Sequence, residues 1–218
     1  MPTDRALVVG ASGGIGAALA NRLDDSHDVT RLSRSSDGLD VTDAASVARS
    51  IGALEGPFDL VFVATGILAP DGAAPEKTLD AVDAEVMART FAVNAIGPAL
   101  VLRAIVPKLA DAGRIGVLTA RVGSIGDNRM GGWYSYRAAK AAANQIVHGA
   151  AIEIGRRNKG SIVVALHPGT VETPFTEGYK APKVSAGEAA ANLIDVLTGL
   201  DPAQSGGFFD YSGDRIEW

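Results

Sequence analysis

Two tyrosines and a lysine lie close together in the stretch GGWYSYRAAKAAANQ, residues 131 to 145. On an α-helix, residues four apart share a face, so Tyr136 and Lys140 would point the same way, whereas Tyr134 has only Ala138 at that offset. A free phenol titrates near pH ~10 and holds its proton too tightly to be a base at neutral pH. A lysine ammonium a few ångströms away could lower that pKa by roughly 1–3 units. We therefore predict that Tyr136 is an acid/base group, the alternative being an ordinary packed tyrosine.

A second candidate site is the glycine-rich segment VVGASGGIGAALA near the N-terminus. Gly10, Gly14 and Gly16 follow a GxxxGxG spacing between an apolar run and an amphipathic stretch. Glycines at such a strand-to-helix turn let the backbone approach a pyrophosphate, whose charge then meets the helix N-terminus. The spacing therefore predicts a dinucleotide site, and a plain tight turn is the alternative.

The same letters also satisfy GxSxG, which would make Ser12 the nucleophile of a serine hydrolase. That fold builds its oxyanion hole partly from a loop upstream of the nucleophile. Only eleven residues precede Ser12, which leaves no room for that loop. The hydrolase interpretation is therefore disfavoured.

Short apolar runs alternate with longer amphipathic or alanine-rich stretches along the whole chain. The predicted strands are Ala6–Val9, Val29–Leu32, Leu60–Ala64, Ile115–Thr119, Ile162–Leu166 and Phe208–Tyr211. The predicted helices cover 14–24, 43–54, 80–109, 133–156 and 186–199. Continuous apolar strands separated by helices indicate βαβ units around a parallel sheet. We predict one α/β domain over residues 1–218, a Rossmann-type doubly wound sheet of six or seven strands.

The connection after the second strand is too short for a crossover helix if Leu39–Val41 forms the third strand. The helix between the second and third strands would then be missing, and Leu39–Val41 would be a short strand at the sheet edge.

Composition excludes several classes of function. The 218 residues carry a net charge of −5 and no long basic run, which argues against nucleic-acid binding. Without cysteine there is no disulfide or thiol nucleophile, and a cytoplasmic location fits. The longest uncharged run, 6–21, is too short and glycine-rich to span a membrane or act as a signal peptide. Scattered histidines and unpaired carboxylates predict no metal site.

The glycine spacing, the YxxxK of Tyr136 and Lys140, Asn94 in VNAIGP, and His167-Pro168-Gly169-Thr170-Val171 occur in a fixed order. This set resembles the short-chain dehydrogenase/reductase family over essentially the whole chain. The GSI…GGWYxYRAxKAA stretch and the ending GGFFDYSGDRIEW look most like its small C-factor-like members.

The resemblance implies a role for each matching residue. Tyr136 would donate the proton as a nicotinamide hydride reaches a carbonyl carbon. Lys140 would also bind the nicotinamide ribose, and Asn94 would hold a water of a proton relay. Val171 and Thr173 would meet the nicotinamide amide or a nearby phosphate. The implied cofactor-binding set is Gly10, Ser12, Gly14, Ile15, Gly16, Ser33, Arg34, Asp40, Val41, Ala64, Gly66, Tyr136, Lys140, Pro168, Val171 and Thr173.

The end of the second strand bears on the choice of cofactor. An acidic residue there would bind the adenosine ribose and repel a 2′-phosphate. Ser33 occupies that position instead, and Arg34 offers a multidentate phosphate donor. NADP is therefore favoured over NAD, although a solvated loop charge is the alternative for Arg34. Asp40-Val41 resembles the family's adenine-contacting pair.

The chain departs from the family pattern at three places. Val9 replaces a threonine, and Val63-Ala64-Thr65-Gly66 replaces an NNAG motif. More seriously, the serine that holds the substrate carbonyl is expected three residues before Gly123, where Ala120 stands. Because strand alternation should turn Thr119 away, we expect Ser124 to be the substitute. A serine that bonds its own turn is the alternative.

The leading hypothesis is an NADP(H)-dependent oxidoreductase that interconverts a carbonyl and a secondary alcohol of a small molecule. The alternative is a nucleotide-binding signalling or sensor protein with weak or no turnover, which Ala120 motivates. Residues 172–183, with Phe175 and Tyr179, are expected to form a lid. The resemblance also implies a homodimer or homotetramer formed through the helices at 80–109 and 133–156.

Overall fold

The computed structural model describes residues 4–176 and 182–218. Six strands form one parallel sheet in the order β2-β1-β3-β4-β5-β6. They are β1 Arg5–Val9, β2 Asp28–Leu32, β3 Phe58–Val63, β4 Leu109–Leu118, β5 Ile162–His167 and β6 Phe208–Asp210. The prediction of an α/β fold with a parallel sheet of six or seven strands is confirmed, and the described residues form six.

Helices connect the strands. The described α-helices are α1 Gly14–Leu23, α2 Arg34–Asp37, α3 Ala44–Gly52, α4 Ala84–Phe91, α5 Gly97–Ile105, α6 Tyr134–Arg157 and α7 Ala186–Gly199. A π-helical turn, Ala92–Ile96, joins α4 to α5, and short 3₁₀ turns lie at Leu79–Ala81, Val106–Lys108, Arg121–Gly123, Pro174–Thr176 and Pro202–Gln204.

The strands are continuously apolar because both faces of the sheet are covered. In β1, Ala6 and Val8 pack in a core cluster with side chains of α1 and α7. Leu7 and Val9 point the other way, into a cluster with side chains of α3, α5 and α6. Alternation thus sends successive residues into two different cores.

The segment 39–41 differs from expectation. Leu39 and Val41 are buried, with 2% and 8% of their surface exposed, which gives the sequence its strand-like pattern. Their backbone groups make local hydrogen bonds instead of pairing with a strand. Leu39 N–H donates to Ser33 O, and Asp40 N–H donates to Ser46 Oγ. The third strand is therefore Phe58–Val63, and α3 supplies the crossover that was expected to be missing. The single-turn helix α2 fills the short connection.

The long helix predicted at 80–109 is divided by the π-helical turn and ends in a 3₁₀ turn. By length and hydropathy the span Ala84–Lys108 could cross a membrane, but such a test also selects the core helices of soluble proteins. Val101, Leu102 and Ile105 of this span belong to the core cluster on one face of the sheet. It is therefore a core helix.

The strand order reverses between β1 and β3. From β1 the chain moves outward to β2, returns to β3 on the other side of β1, and then continues to β6. In open α/β sheets, ligands bind at the carboxyl ends of the strands where the order reverses. The loops that start at Gly10 and Ala64 flank this point.

Candidate active site

The glycine loop follows β1 at the point where the strand order reverses. Gly10 has φ +93°, and a Cβ on Gly16 would lie 2.1 Å from Gly10 O, so neither position tolerates a side chain. Gly10 N–H and Ala11 N–H donate to Leu32 O at 2.8 and 3.1 Å, which ties the loop to the end of β2. Helix α1 then starts at Gly14 without a side-chain cap. Such an open helix N-terminus suits an anion.

A cavity of about 520 Å³ opens in front of this loop, a volume typical of small-molecule sites. It is lined by the glycine loop, by the carboxyl ends of three neighbouring strands, and by the start of α6. Its lining residues are Ser12–Gly16, Ala64–Gly66, Leu118–Val122, Trp133, Tyr136, Lys140, His167–Val171, Thr173, Phe175 and Thr176.

Tyr136 and Lys140 both reach this cavity from the first turns of α6. Lys140 Nζ lies 5.8 Å from the centre of the Tyr136 ring and donates to Leu118 O at 3.1 Å. Burial lowers the pKa of Lys140 to about 8, because desolvation disfavours the ammonium. The Tyr136 ring is buried between Trp133, edge-on with centroids 6.2 Å apart, and Phe175 at 5.9 Å. The predicted pair is thus brought together.

Asn94 lies behind this pair, in the π-helical turn between α4 and α5. Its Oδ1 accepts from Ile67 N–H at 2.9 Å, and its Nδ2 donates to Ile67 O at 2.8 Å. A Cβ on Gly66 would lie 3.1 Å from Asn94 Oδ1 and 3.3 Å from Lys140 Nζ. The loop after β3 therefore runs between Asn94 and Lys140, and Asn94 fixes that loop. Its proposed part in a proton relay stays a prediction.

The loop after β5 closes the other side of the cavity. Pro168, Val171 and Thr173 all line it, and Thr173 Cγ2 packs so close to Gly14 that a Cβ there would be 2.6 Å away. The hydroxyl of Thr176 donates to Val171 O and holds this loop in its turn. Residues 177–181 of the predicted lid, including Tyr179, lie outside the described residues.

The predicted adenosine-binding residues lie beside the glycine loop at the end of β2. Ser33 Oγ accepts from Ser36 N–H at 3.1 Å, and Ser33 N–H donates to Asp37 Oδ2 at 2.9 Å. Ser33 therefore caps α2, while the neighbouring Arg34 is exposed. Hydrogen bonds from Thr42 lower the pKa of Asp40, aided by Arg34.

The Asp40 carboxylate is thus engaged in a local turn, and the Val41 side chain packs against Gly97. Both bonds from Thr42 go to Asp40 Oδ1, and Asp40 is exposed. The contact of this pair with an adenine ring stays a prediction.

The expected substitute serine does not reach the cavity. Ser124 is not among the described residues that line it, and its Oγ accepts from Asp127 N–H at 3.0 Å. Ser124 therefore closes a turn, which was the alternative left open. Thr119 does line the cavity next to Ala120, because the cavity lies beyond the strand end. Its buried Oγ1 has no hydrogen-bond partner among the described residues.

Sequence reasoning missed a charged group at the cavity rim. Arg121 Nη2 donates to Asp210 Oδ2 at 2.7 Å, at the end of β6. Burial alone would raise the pKa of Asp210, but hydrogen bonds from Ser212 and Asp214 and the charge of Arg121 outweigh it and lower the pKa. Burial lowers the pKa of His167 to about 4, aided by Arg121 and opposed by Asp210. The signal that could have found them is their position at the carboxyl ends of β4, β5 and β6.

Comparison with known proteins gives consistent results. The family model described as enoyl-(acyl carrier protein) reductase matches residues 11–195. The 1-hydroxy-2-glutathionyl-2-methyl-3-butene dehydrogenase of Rhodococcus sp. (strain AD45) is 33% identical over 97% of this chain and 98% of its own. The C-signal protein of Myxococcus xanthus is 39% identical over 63% of this chain and 81% of its own.

A solved structure also resembles this chain over its whole length. It is a short-chain dehydrogenase/reductase from Burkholderia multivorans with bound NADP, 25% identical, and it superposes with a TM-score of 0.80 over 100% of both chains. Together with the glycine loop, the Tyr136–Lys140 pair and the reversed strand order, these matches show that the chain belongs to the short-chain dehydrogenase/reductase family of oxidoreductases.

Proposed function

We propose that this protein is an NADP(H)-dependent oxidoreductase that interconverts a carbonyl and a secondary alcohol, with Tyr136 as the acid/base group. The observation that carries the proposal is that Tyr136 and Lys140 share one cavity with the glycine loop. The phenol and the dinucleotide-type turn thus converge on one space, where a small substrate could meet both.

The residues present fit a dinucleotide. The tight Gly10–Gly16 packing and the open N-terminus of α1 suit a pyrophosphate. Buried polar atoms without partners among the described residues, Thr65 Oγ1, Thr119 Oγ1 and His167 Nδ1, belong to residues that line the same cavity. When bound, the nicotinamide supplies or accepts the hydride. Exposed Arg34 supports the choice of NADP, as does the NADP bound to the Burkholderia multivorans relative.

The chain's own residues then manage the proton. In carbonyl reduction, the Tyr136 hydroxyl donates its proton to the oxygen that becomes the alcohol. The Lys140 ammonium stabilises the phenolate left behind, since opposite charges in a buried site attract strongly. Leu118 O accepts from one of the three N–H groups of the ammonium and holds it in place, and the other two have no hydrogen-bond acceptor among the described residues.

A direct test follows NADPH absorbance with a panel of aldehydes, ketones and diketones. We expect turnover of at least one carbonyl class, and binding of NADPH at least ~10-fold tighter than NADH, since a guanidinium–phosphate contact is charge-assisted and bidentate. Titration calorimetry measures the two affinities. Equal affinities would remove the NADP assignment, and tight NADPH binding without turnover across the panel would remove the enzymatic one.

A second prediction concerns the hydroxyl that holds the substrate carbonyl. Thr119 Oγ1 is buried, so it reaches a substrate oxygen only after its side chain rotates towards the cavity. If it serves as the donor to the developing oxyanion, replacing Thr119 with Val should lower turnover by about 10-fold or more, because the hydroxyl is lost while the shape is kept. Replacing Ser124 with Ala should change turnover less than twofold, since its hydroxyl closes a turn outside the cavity. Initial rates at saturating NADPH measure both. The reverse order of effects would restore Ser124 as the substitute.

One observation favours a different function. Ala120, where the family resemblance implies a serine, lines the cavity without a hydroxyl, and the Myxococcus relative is named C-signal. A nucleotide-binding signalling or sensor protein is therefore the second candidate. The retained Tyr136–Lys140 pair supports the enzyme, because a pure binder has no need of a proton donor.

We also propose a homodimer or homotetramer in the cytoplasm. Ile96, between α4 and α5, is 50% exposed, and Ile152 of α6 is 47% exposed. These apolar side chains lie on the helices through which the resemblance implies association. Light scattering with purified protein tests the oligomeric state.

A further inference from the structure

Glu76, on the loop between β3 and α4, is a buried carboxylate that the proposed mechanism does not use. Only 5% of its surface is exposed. Its Oε2 accepts from Ser135 N–H at 3.2 Å, and its Oε1 accepts from the Ser135 hydroxyl. Within the described part of the chain, no Lys, Arg or His lies within ion-pair distance of it. A buried charge needs hydrogen bonds of this kind to be tolerated.

Glu76 supplies hydrogen-bond acceptors to the N-terminus of helix α6. A helix leaves its first four N–H groups without internal partners, and a polar side chain at the N-cap usually accepts one. The N-cap here is Trp133, in the left-handed conformation at φ +51°, and it makes no side-chain cap. Glu76 O accepts from Trp133 N–H, and the Glu76 carboxylate accepts from Ser135 N–H. A residue 59 positions away from Ser135 thus caps the helix.

The carboxylate is in turn stabilised by the helix it caps. The N-terminus of a 24-residue helix carries a partial positive charge, which favours an anion there. This explains how a buried carboxylate persists without a cation beside it.

The capped turn carries the reacting group. Tyr136 follows Ser135 directly, and its ring packs edge-on against that of Trp133. Trp133 is the one non-glycine residue with positive φ among the described residues, a conformation that costs energy unless neighbours fix it. The backbone oxygen of Glu76 binds Trp133 N–H, and its carboxylate binds Ser135. Glu76 therefore fixes the two residues that flank Tyr134, and one of them, Ser135, directly precedes Tyr136.

We infer that Glu76 is a positioning residue, which acts through Ser135 and Trp133 to hold the Tyr136 hydroxyl in the cavity. The inference rests on the proposed acid/base role of Tyr136. Glu76 is not among the described residues that line the cavity, so it acts on the substrate only through its neighbours.

Substitutions of Glu76 separate hydrogen bonding from packing. Glu76→Ala should lower kcat at least 10-fold with the KM for NADPH changed less than twofold. Glu76→Gln should retain kcat within about threefold, because its carbonyl can accept from Ser135 N–H while its amide donates to the Ser135 oxygen. Ser135→Ala removes only one of the two bonds and should give an intermediate loss.

Hydrogen–deuterium exchange of amides 133–137 gives a readout that does not depend on turnover. We expect at least 10-fold faster exchange in Glu76→Ala and no change in Glu76→Gln. The matched control is Asp43→Ala, which removes another carboxylate cap, the one bonded to Ala45 N–H of α3 at 2.9 Å. That variant should leave kcat and exchange at 133–137 unchanged.

Two results would overturn the inference. One is unchanged exchange at 133–137 in Glu76→Ala. The other is faster exchange with unchanged kcat, which would make Glu76 a cap without influence on Tyr136. If Glu76→Ala fails to fold, Glu76→Gln and Ser135→Ala decide, and a loss in Glu76→Gln as large as that in Ser135→Ala contradicts the hydrogen-bond account. If the unmodified protein shows no turnover, the proposed function fails, and the exchange data still test the cap.

Discussion

Replacing Tyr136 with Phe is expected to lower turnover by roughly 10²–10⁴-fold, the range that a positioned general acid contributes. Phenylalanine keeps the ring packing against Trp133 and Phe175 and removes only the hydroxyl. NADPH affinity and melting temperature should therefore change little. Stopped-flow or steady-state absorbance measures the rate, and calorimetry measures the affinity.

Tyr134 provides the matched control for this experiment. It lies on the same first turn of α6, but the lining of the described cavity includes Tyr136 and not Tyr134. Tyr134→Phe should keep turnover within about twofold, since it has no lysine one helical turn along. If Tyr136→Phe retained activity, or if both variants lost it equally, the phenol of Tyr136 would not be the proton donor.

The fold could be predicted from sequence because each strand is buried on both faces. Runs such as RALVV and IVVALH contain no polar residue in their centre, which is typical of a parallel sheet between two helix layers. The glycine loop could be placed after the first strand for the same reason, since it follows the first such run. These signals are local and therefore visible in one sequence.

The errors at 39–41 and 80–109 also have local causes. Leu39 and Val41 alternate with a polar residue, so they mimic a strand, although they are buried by contact with helices and not by sheet pairing. Helical periodicity at 80–109 did not reveal the π-helical turn, because a single five-residue turn between two α-helices is too short to show a period of its own. That turn carries Asn94, so the missed detail lies at the candidate site.

The candidate site was predictable only where a motif is short in sequence. Tyr136 and Lys140 share one helix, so their spacing reveals them. Ser124 was favoured over Thr119 by strand alternation, which does not decide access to a cavity that lies beyond the end of the strand. Glu76 has no local signal, because its partner Ser135 is 59 residues away. Long-range capping of this kind depends on the tertiary fold.

The largest effect on stability is expected at Lys140, whose ammonium serves the proposed reaction but is costly to bury. Its ordinary pKa of 10.5 falls to about 8 in the fold because burial penalises the ammonium. Below pH 8 both the folded and the unfolded chain carry the proton, and the full penalty is present. Between pH 8 and 10.5 the unfolded chain binds a proton that the folded chain lacks, so the free energy of unfolding rises with pH through this window.

Lys140→Met removes the charge and keeps most of the side-chain volume. At pH 7 it should raise the free energy of unfolding by about 1–3 kcal/mol, since a pKa unit corresponds to 1.4 kcal/mol and the new side chain will not pack perfectly. Turnover should fall at least ~100-fold, because the phenolate of Tyr136 loses its cationic partner. Urea denaturation and initial rates measure the two effects on the same protein.

The pH dependence distinguishes a buried ammonium from a simple improvement in packing. The informative quantity is the difference in unfolding free energy between Lys140→Met and the unmodified protein, because contributions common to both proteins cancel in it. That difference should be constant below pH 8 and should shrink towards pH 10.5. The exposed Lys159 serves as control, and Lys159→Met should show no such trend. A gain in stability that is independent of pH up to 10.5 would mean that the fold does not lower the pKa of Lys140, and that relief of a desolvation penalty on its ammonium does not explain the gain.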